Sequence, residues 1–287
     1  MLRSWQAIQG DDHALNRQRT AHSIGCPLSD GQVKVSDVTH WTDRLFSFST
    51  GRPAGFRFRS GEFVMLGLPD DDGKPIMRTY SIASPNWDDR LAFHSIIVPG
   101  GPLTSRLQHI AVGDQLMLGK KPTGSLVLDR LRPGKRLYLI STGTGIAPFA
   151  SIIRDPDTYD RFETVILTHS CRTVDALGYG KEVVDAARQH PLIGSLVRGK
   201  LHYFPTVTRD DFHHNRRITA YLQDGSLQQE LNLPPLSPVD DRLMVCGSIG
   251  LNRDIATMIT AAGSTEGTMN DPATFVVERA FVGDGAL

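Results

Sequence analysis

Arg78-Thr79-Tyr80-Ser81-Ile82-Ala83-Ser84 reads as the end of a strand that runs into a Ser84-Pro85-Asn86 turn. It sets a guanidinium, a phenol ring and a hydroxyl close together on an extended backbone. Residues i and i+2 of a strand face one side. Arg78 and Tyr80 therefore project together, while Thr79 and Ser81 point the other way unless the strand bends. A fork of donors beside a flat aromatic face suits a ligand that carries both a phosphate and a planar ring. The same residues also make an ordinary Arg–Tyr cross-strand pair on a half-buried sheet. The rest of the chain bears on the choice.

On either side of this stretch, from Gln32 to Leu128, the pattern is mostly period two and rich in β-branched and aromatic residues. Strands are predicted at Gln32–Val38, Leu45–Ser49, Phe63–Leu68, Met77–Ser84, Leu91–Val98 and Gln115–Gly119. Gly51-Arg52-Pro53, Ser60-Gly61, Asp70-Asp71-Asp72-Gly73 and Pro99-Gly100-Gly101-Pro102 separate them. Short strands broken in this way predict a closed antiparallel β-barrel, interrupted by one short helix at Leu103–Gln108. Gly100-Gly101-Pro102-Leu103-Thr104-Ser105 delivers a glycine turn into that helix start. Free N–H groups there can bind an anion, and Thr104 and Ser105 add hydroxyls, although ordinary capping explains the same residues. His94-Ser95-Ile96-Ile97, just upstream, lies where the body of the same ligand would pass.

Lys120–Gly134 is rich in Pro, Gly and basic residues and marks a domain boundary, with domains expected at 28–130 and 131–287. Beyond it, strands alternate with helices, which predicts an α/β doubly wound parallel sheet. The strands fall at Arg136–Ser141, Thr164–Thr168, Lys200–Pro205, Leu243–Cys246 and Phe275–Phe281. The helices fall at Phe149–Ile153, Val174–His190, Ile218–Asp224 and Leu251–Ala262.

Such sheets bind ligands beyond the carboxyl ends of their strands. Thr142-Gly143-Thr144-Gly145-Ile146-Ala147-Pro148 lies at the first such end. It is not the full dinucleotide fingerprint, because Pro148 stands where the third glycine would be. Its glycines allow close backbone approach to a ligand, and Pro suits the first helical turn. Cys171-Arg172, Thr208-Arg209 with Arg216-Arg217, and Cys246-Gly247-Ser248 occupy the other strand ends. Arg209 and Arg217 suit a phosphate on a ribose, which separates NADP from NAD. A free Cys such as Cys246 is more often a small buried residue than a nucleophile. Glu278 and Phe281 have no role assignable from the residues alone.

The chain has 287 residues, with 31 basic and 31 acidic side chains, so no overall charge argues for nucleic acid. No apolar run is long enough to span a bilayer. Three scattered cysteines, Cys26, Cys171 and Cys246, with no CxxC, predict a reducing compartment. They also argue against a built-in iron–sulfur cluster. His213-His214 has no ligand spacing around it, and no metal site is expected. Residues 1–27 read as a poorly ordered extension, a cleaved transit segment being the alternative.

Together, Arg78-Thr79-Tyr80-Ser81, Gly101-Pro102-Leu103-Thr104-Ser105-Arg106-Leu107, Thr142-Gly143-Thr144-Gly145, Cys246-Gly247-Ser248 and Val277-Glu278-Arg279-Ala280-Phe281-Val282 resemble the ferredoxin/flavodoxin–NADP+ reductase family in its bacterial form. The resemblance runs from Gln32 to the C-terminus. It implies a barrel that binds FAD and an α/β domain that binds NADP(H). It implies that Tyr80 stacks on the flavin ring, Arg78 reaches the pyrophosphate and Ser81 lies near the atom that accepts hydride. Thr79, His94, Ser95, Ile96, Ile97, Pro102, Leu103, Thr104 and Ser105 would complete the FAD contacts, with Ala280 and Phe281 covering the ring. Thr144 would lie against the flavin and nicotinamide, with Cys246 and Glu278 near the nicotinamide. Cys171, Arg172, Thr208, Arg209, Arg217, Ser248, Ile249 and Gly250 would complete the coenzyme site.

Ser248-Ile249-Gly250 departs from the Pro-containing turn frequent in the family, and Val282–Leu287 continues past Phe281. The implied partner is a ferredoxin or flavodoxin, met by a basic surface to which Lys120, Lys121, Arg130, Arg132 and Arg136 are candidate contributors. A monomeric, cytoplasmic enzyme is expected. A reductase component of an oxygenase and a flavin-less nucleotide-binding regulator are the rival readings.

Overall fold

The computed structural model describes residues 31–278. Ala280, Phe281, Cys26, the 1–27 extension and the Val282–Leu287 tail lie outside the described residues.

The first half contains β1 (Gln32–His40), β2 (Leu45–Gly51), β3 (Phe63–Pro69), β4 (Pro75–Ser81), β5 (Arg90–Ile96) and β6 (Gln115–Leu118). They form one sheet in the order β4-β3-β6-β1-β2-β5, antiparallel throughout. Alternation explains the curl. Val64 and Leu66 of β3, Phe46 and Phe48 of β2, and Leu91 and Phe93 of β5 are all buried in one cluster. A sheet that buries one face in a single core must roll around it. The edge strands β4 and β5 then meet, where Ala83 N–H donates to Ala92 O at 2.7 Å and Tyr80 Oη lies 3.1 Å from Ser95 Oγ.

β4 stops at Ser81, short of the predicted Ser84, because the chain leaves to dock on the second half. Ser151 Oγ donates to Ser84 O at 2.7 Å, Asn86 Nδ2 to Asp155 Oδ2 at 3.0 Å and Trp87 Nε1 to Arg154 O at 3.0 Å. The Ser/Pro turn is thus an inter-domain contact. The short helix, α1, spans Thr104–Leu107.

The second half contains β7 (Arg136–Thr142), α2 (Ala147–Ile152), α3 (Pro156–Arg161), β8 (Thr164–Cys171), α4 (Gly178–Gln189), α5 (Gly194–Lys200), β9 (Leu201–Val207), α6 (Ile218–Gln223), α7 (Ser226–Glu230), β10 (Asp241–Cys246), α8 (Ile249–Ala261) and β11 (Phe275–Val277). The sheet order is β11-β10-β7-β8-β9, all parallel. Both faces of β7 are buried: Leu137 and Leu139 in one cluster, Tyr138 and Ile140 in another. Helices on both sides of a parallel sheet require this.

Helices α3, α5 and α7 were not expected from the sequence. The first has a legible start, since the Asp155 carboxylate accepts from Asp157 N–H at 3.1 Å and Pro156 takes the first turn. At the amino ends of the strands, Arg136 and Asp241 form a bidentate pair at 2.5 and 3.1 Å, both side chains buried. That removes Arg136 from any partner-facing surface, because a carboxylate beside it offsets the cost of its burial.

The Lys120–Gly134 segment packs on the second half: Leu126 and Leu131 join its core, and Ser125 Oγ donates to Val277 O at 2.9 Å.

Candidate active site

In the strand order, the chain runs outward from β7 through β8 to β9, then returns to place β10 on the other side of β7. The crevice at the carboxyl ends of β7 and β10 is therefore the switch point where such sheets take ligands. Two glycines bring these ends together. A Cβ on Gly145 would lie 2.2 Å from Cys246 O, and one on Gly247 2.2 Å from Thr142 Oγ1. At Gly145 the missing side chain makes room for the β10 backbone. Gly143, by contrast, has φ +51° and nothing within 4 Å of a Cβ. Thr144 is half-buried beside it.

Cys246 is fully buried, and burial followed by the nearby Glu278 charge pushes its thiol well above the usual range. Such a thiol is a packing surface rather than a nucleophile. Glu278 is buried too. Its Oε2 accepts from Ser125 N–H at 3.1 Å, and its own N–H donates to Val245 O at 3.0 Å. Asn252 Nδ2 donates to Glu278 O at 2.9 Å, and Asn252 Oδ1 is buried with no partner among the described residues.

Ser248 Oγ accepts from Leu251 N–H at 3.2 Å and so caps α8. The helix begins at Ile249, two residues before the predicted start. Ile249 is exposed and Gly250 has open space around it.

At the ends of β8 and β9, Arg209 N–H donates to Arg172 O at 2.9 Å and Thr208 N–H to Cys171 O at 3.1 Å. Arg172, Thr208, Arg209 and Arg217 are exposed. The three guanidiniums have no ion pair among the described residues. Arg216 differs. It pairs with Asp224 at 2.7 Å, reaches Ser226 Oγ at 2.9 Å and lies over the Tyr221 ring. Cys171 faces inward, against His169 and Ala176 O, and burial pushes its thiol up to about 12.

On the barrel side, Arg78 pairs across the ladder with Leu66 and Tyr80 with Val64, so both share the core-facing side. Arg78 is exposed at the rim, where its Nη1 donates to Met77 O at 2.8 Å. Tyr80 is buried, edge-on to Phe48 and Phe93. Thr79 and Ser81 pair with Met65 and Phe63 on the other side. Ser81 is buried and Thr79 half-buried. Ser95 is buried at the β4–β5 seam, whereas Ile96 and Ile97 are half-buried at its end.

Thr104 Oγ1 is 3.2 Å from both Val98 N and Val98 O, and Ser105 N–H donates to Gly101 O at 3.1 Å. These groups, expected to be anion-ready, close the turn on itself. Leu103 is buried and Pro102 exposed. His94 turns outward from the barrel and stacks on Tyr179 of α4. Burial, then the nearby His169, pushes it down to about 3.

Tyr179, His169, Tyr203, Asn252 and Ser125 were not singled out from sequence. None sits in a recognisable motif; each matters through a contact with a distant element. Among the described residues no group of side chains is arranged to hold a metal, and no helix is long and apolar enough to cross a membrane.

An antiparallel barrel closed by an aromatic seam, joined to a parallel sheet with an open switch point, is the layout of a two-domain oxidoreductase that holds a flavin and a nicotinamide dinucleotide. Family models agree: an oxidoreductase FAD-binding domain matches residues 31–128 and an oxidoreductase NAD-binding domain residues 139–257. The chain is 57% identical to the flavodoxin/ferredoxin–NADP reductase of Rhodobacter capsulatus, over 90% of this chain and 95% of that one. It is 49% identical to the ferredoxin–NADP reductase of Pseudomonas aeruginosa, over 87% and 96%. Among solved structures, a ferredoxin NADP+ reductase from Neisseria gonorrhoeae with bound FAD and NADP superposes with a TM-score of 0.78 at 30% identity, covering 87% of this chain and 98% of that one. The chain belongs to the ferredoxin/flavodoxin–NADP+ reductase family.

Proposed function

We propose that this protein exchanges a hydride between NADP(H) and FAD, and single electrons between FAD and a ferredoxin or flavodoxin. The observation that carries the reading is where the two halves meet. There β5 contacts the Gly143–Ile146 turn, and Glu278 reaches Ser125 next to Gly124, which lies against Phe63, the ladder partner of Ser81. Arg172, Arg209 and Arg217 are exposed at the ends of β8 and β9. The side chains fit the cofactor. Arg78 offers a rim guanidinium to phosphate. Tyr80 and Ser95 share a polar contact in an otherwise apolar seam. Bound FAD supplies the chemistry that converts a two-electron donor into a one-electron one.

The chain's own residues bind and orient. Tyr80 and Ser81 form the flavin-ring wall. Thr144, at the strand-end turn, would lie against flavin and nicotinamide. Cys246 and Glu278 border the nicotinamide, Cys246 as an un-ionised packing surface. Arg172, Arg209 and Arg217 hold the adenosine phosphates, and exposed guanidiniums beyond β9 favour NADP over NAD. The oxygenase-component reading is weaker, because relatives carrying the reductase name match across nearly the whole chain.

The test is NADPH-driven reduction of candidate ferredoxins and flavodoxins by the purified protein. Reduction of either, with NADPH preferred to NADH, is the expected result. Reduction of neither, in a protein that retains flavin, overturns the partner assignment.

A further inference from the structure

His169 of β8 holds the Gly143 carbonyl from beneath. From this we propose that His169 is the positioning residue for the strand-end turn that meets the nicotinamide coenzyme. The inference rests on the functional reading above and adds a residue to it.

The His169 ring is 1% exposed. Its Nε2 lies 3.2 Å from Gly143 O, and its Nδ1 lies 3.3 Å from Tyr203 Oη. Cys171 Sγ also lies 3.3 Å from Nε2. A carbonyl oxygen only accepts, so the bond to Gly143 O forms in the tautomer with the proton on Nε2, in which Nδ1 accepts from the Tyr203 hydroxyl. Burial pushes the ring down to about 4, against the opposing pull of the Gly143 carbonyl, and the ring is neutral around neutral pH. Room for the contact is built in from a third element. A Cβ on Gly180 of α4 would lie 2.4 Å from His169 Nδ1 and 2.8 Å from Tyr203 Oη.

What the bond controls follows from peptide geometry. Gly143 O and the Thr144 N–H belong to one trans, planar peptide and point in opposite directions. With the carbonyl drawn inward to His169, the Thr144 N–H is turned outward. The turn lies at the carboxyl end of β7, at the switch point, and a Cβ on Gly143 would meet nothing within 4 Å there.

Gly143 has φ +51°. The same peptide opens the short 3₁₀ turn Gly143–Ile146, whose own hydrogen bonds favour this orientation. His169 braces that orientation from below, and Tyr203 and Gly180 hold the brace in place.

The experiment uses the full-length holoprotein and its His169→Leu, His169→Gln and Tyr203→Phe variants. It measures the NADP+ dissociation constant by calorimetry, the KM for NADPH, the melting temperature and flavin retention. His169→Leu is expected to weaken NADP+ binding and raise the KM about tenfold, the effect of losing one well-placed hydrogen-bond arrangement. His169→Gln places an amide N–H near the Nε2 position and is expected to recover most of that loss. Tyr203→Phe is expected to fall between.

NADP+ affinity at the wild-type level in His169→Leu overturns the proposal. So does a melting-temperature loss shared by Leu and Gln with no difference between them in affinity. Should the Leu variant fail to fold, Tyr203→Phe decides: weaker NADP+ binding supports the proposal, and unchanged binding overturns it. Failure of wild-type protein to oxidise NADPH would remove the functional reading itself, whereas variants that bind like an active wild type remove only the role of His169.

Discussion

His94 of β5 and Tyr179 of α4 lie ring on ring, centroids 3.9 Å apart and planes 5° apart, and they belong to different domains. Trp41 meets the edge of the same tyrosine at 5.6 Å. The stack ties the two halves together, His94 from the barrel and Tyr179 from the second half.

That contact makes the protein acid-sensitive. His94 is pushed down to about 3 and His169 to about 4, chiefly by burial. Both lie below the value of an unfolded histidine, about 6.5. As pH falls, the unfolded chain takes up protons first, so stability present above about pH 6.5 is lost progressively below it. Each histidine is expected to cost about 3 kcal/mol between pH 7 and pH 4. Urea unfolding at several pH values measures this. His94→Phe keeps a stacking ring and is expected to flatten the acid limb by one proton; an unchanged slope would assign the limb to other groups.

Tyr80 can be dissected by size. Tyr80→Phe removes only the hydroxyl facing Ser95, and should cost about 1 kcal/mol in stability with flavin retained. Tyr80→Ala opens the seam, costing roughly 3–5 kcal/mol, and should shift the flavin absorption spectrum or release the cofactor. A Tyr80→Ala holoprotein with a wild-type spectrum counts against ring contact.

Adjacent arginines should behave differently. Arg217 has no side-chain partner among the described residues, whereas Arg216 is tied to Asp224, Ser226 and Tyr221. Arg217→Ala is expected to lower kcat/KM for NADPH by about tenfold or more, the loss of a charge-assisted phosphate contact, and to leave NADH turnover near wild type. Arg216→Ala should chiefly loosen α6 and α7. Equal effects on both coenzymes in Arg217→Ala would remove the residue from the phosphate site.

Two glycines two residues apart make a further contrast. A methyl on Gly145 must displace the Cys246 carbonyl, 2.2 Å from its Cβ position. Gly145→Ala should therefore cost about 1–3 kcal/mol and separate Thr144 from β10, with weaker NADP+ binding. Gly143→Ala meets no atom, and only its positive φ is strained, at about 1 kcal/mol. Thermal unfolding and NADP+ titration of the pair separate packing from strain; a milder Gly145 variant would reverse the assignment.

Local pattern carried much of the architecture. Period-two alternation around Phe46, Val64 and Phe93 specifies half-buried antiparallel strands, and the apolar run Leu137-Tyr138-Leu139-Ile140 specifies a strand buried on both faces. The change from one pattern to the other near Lys120–Gly134 divides the chain. The short helices α5 and α7 escaped notice because a few residues display too little of a helical period. The end of β4 was misjudged because Ser84 and Asn86 bond to α2 and the start of α3, contacts that no nearby residue announces.

The sequence by itself determined which chemistry is present: a strand-end Arg-x-Tyr-Ser, a glycine turn after the first parallel strand, and arginines at later strand ends. Tertiary structure alone decided how those residues divide their work. It turned Cys171 inward, spent the Ser248 hydroxyl on a helix cap and paired Arg136 with Asp241. It also brought His169 beneath Gly143 and His94 against Tyr179. The physical reason is range. Alternation and turn chemistry act over a few residues, whereas a buried polar group is satisfied by whatever atom the folded chain brings within about 3 Å.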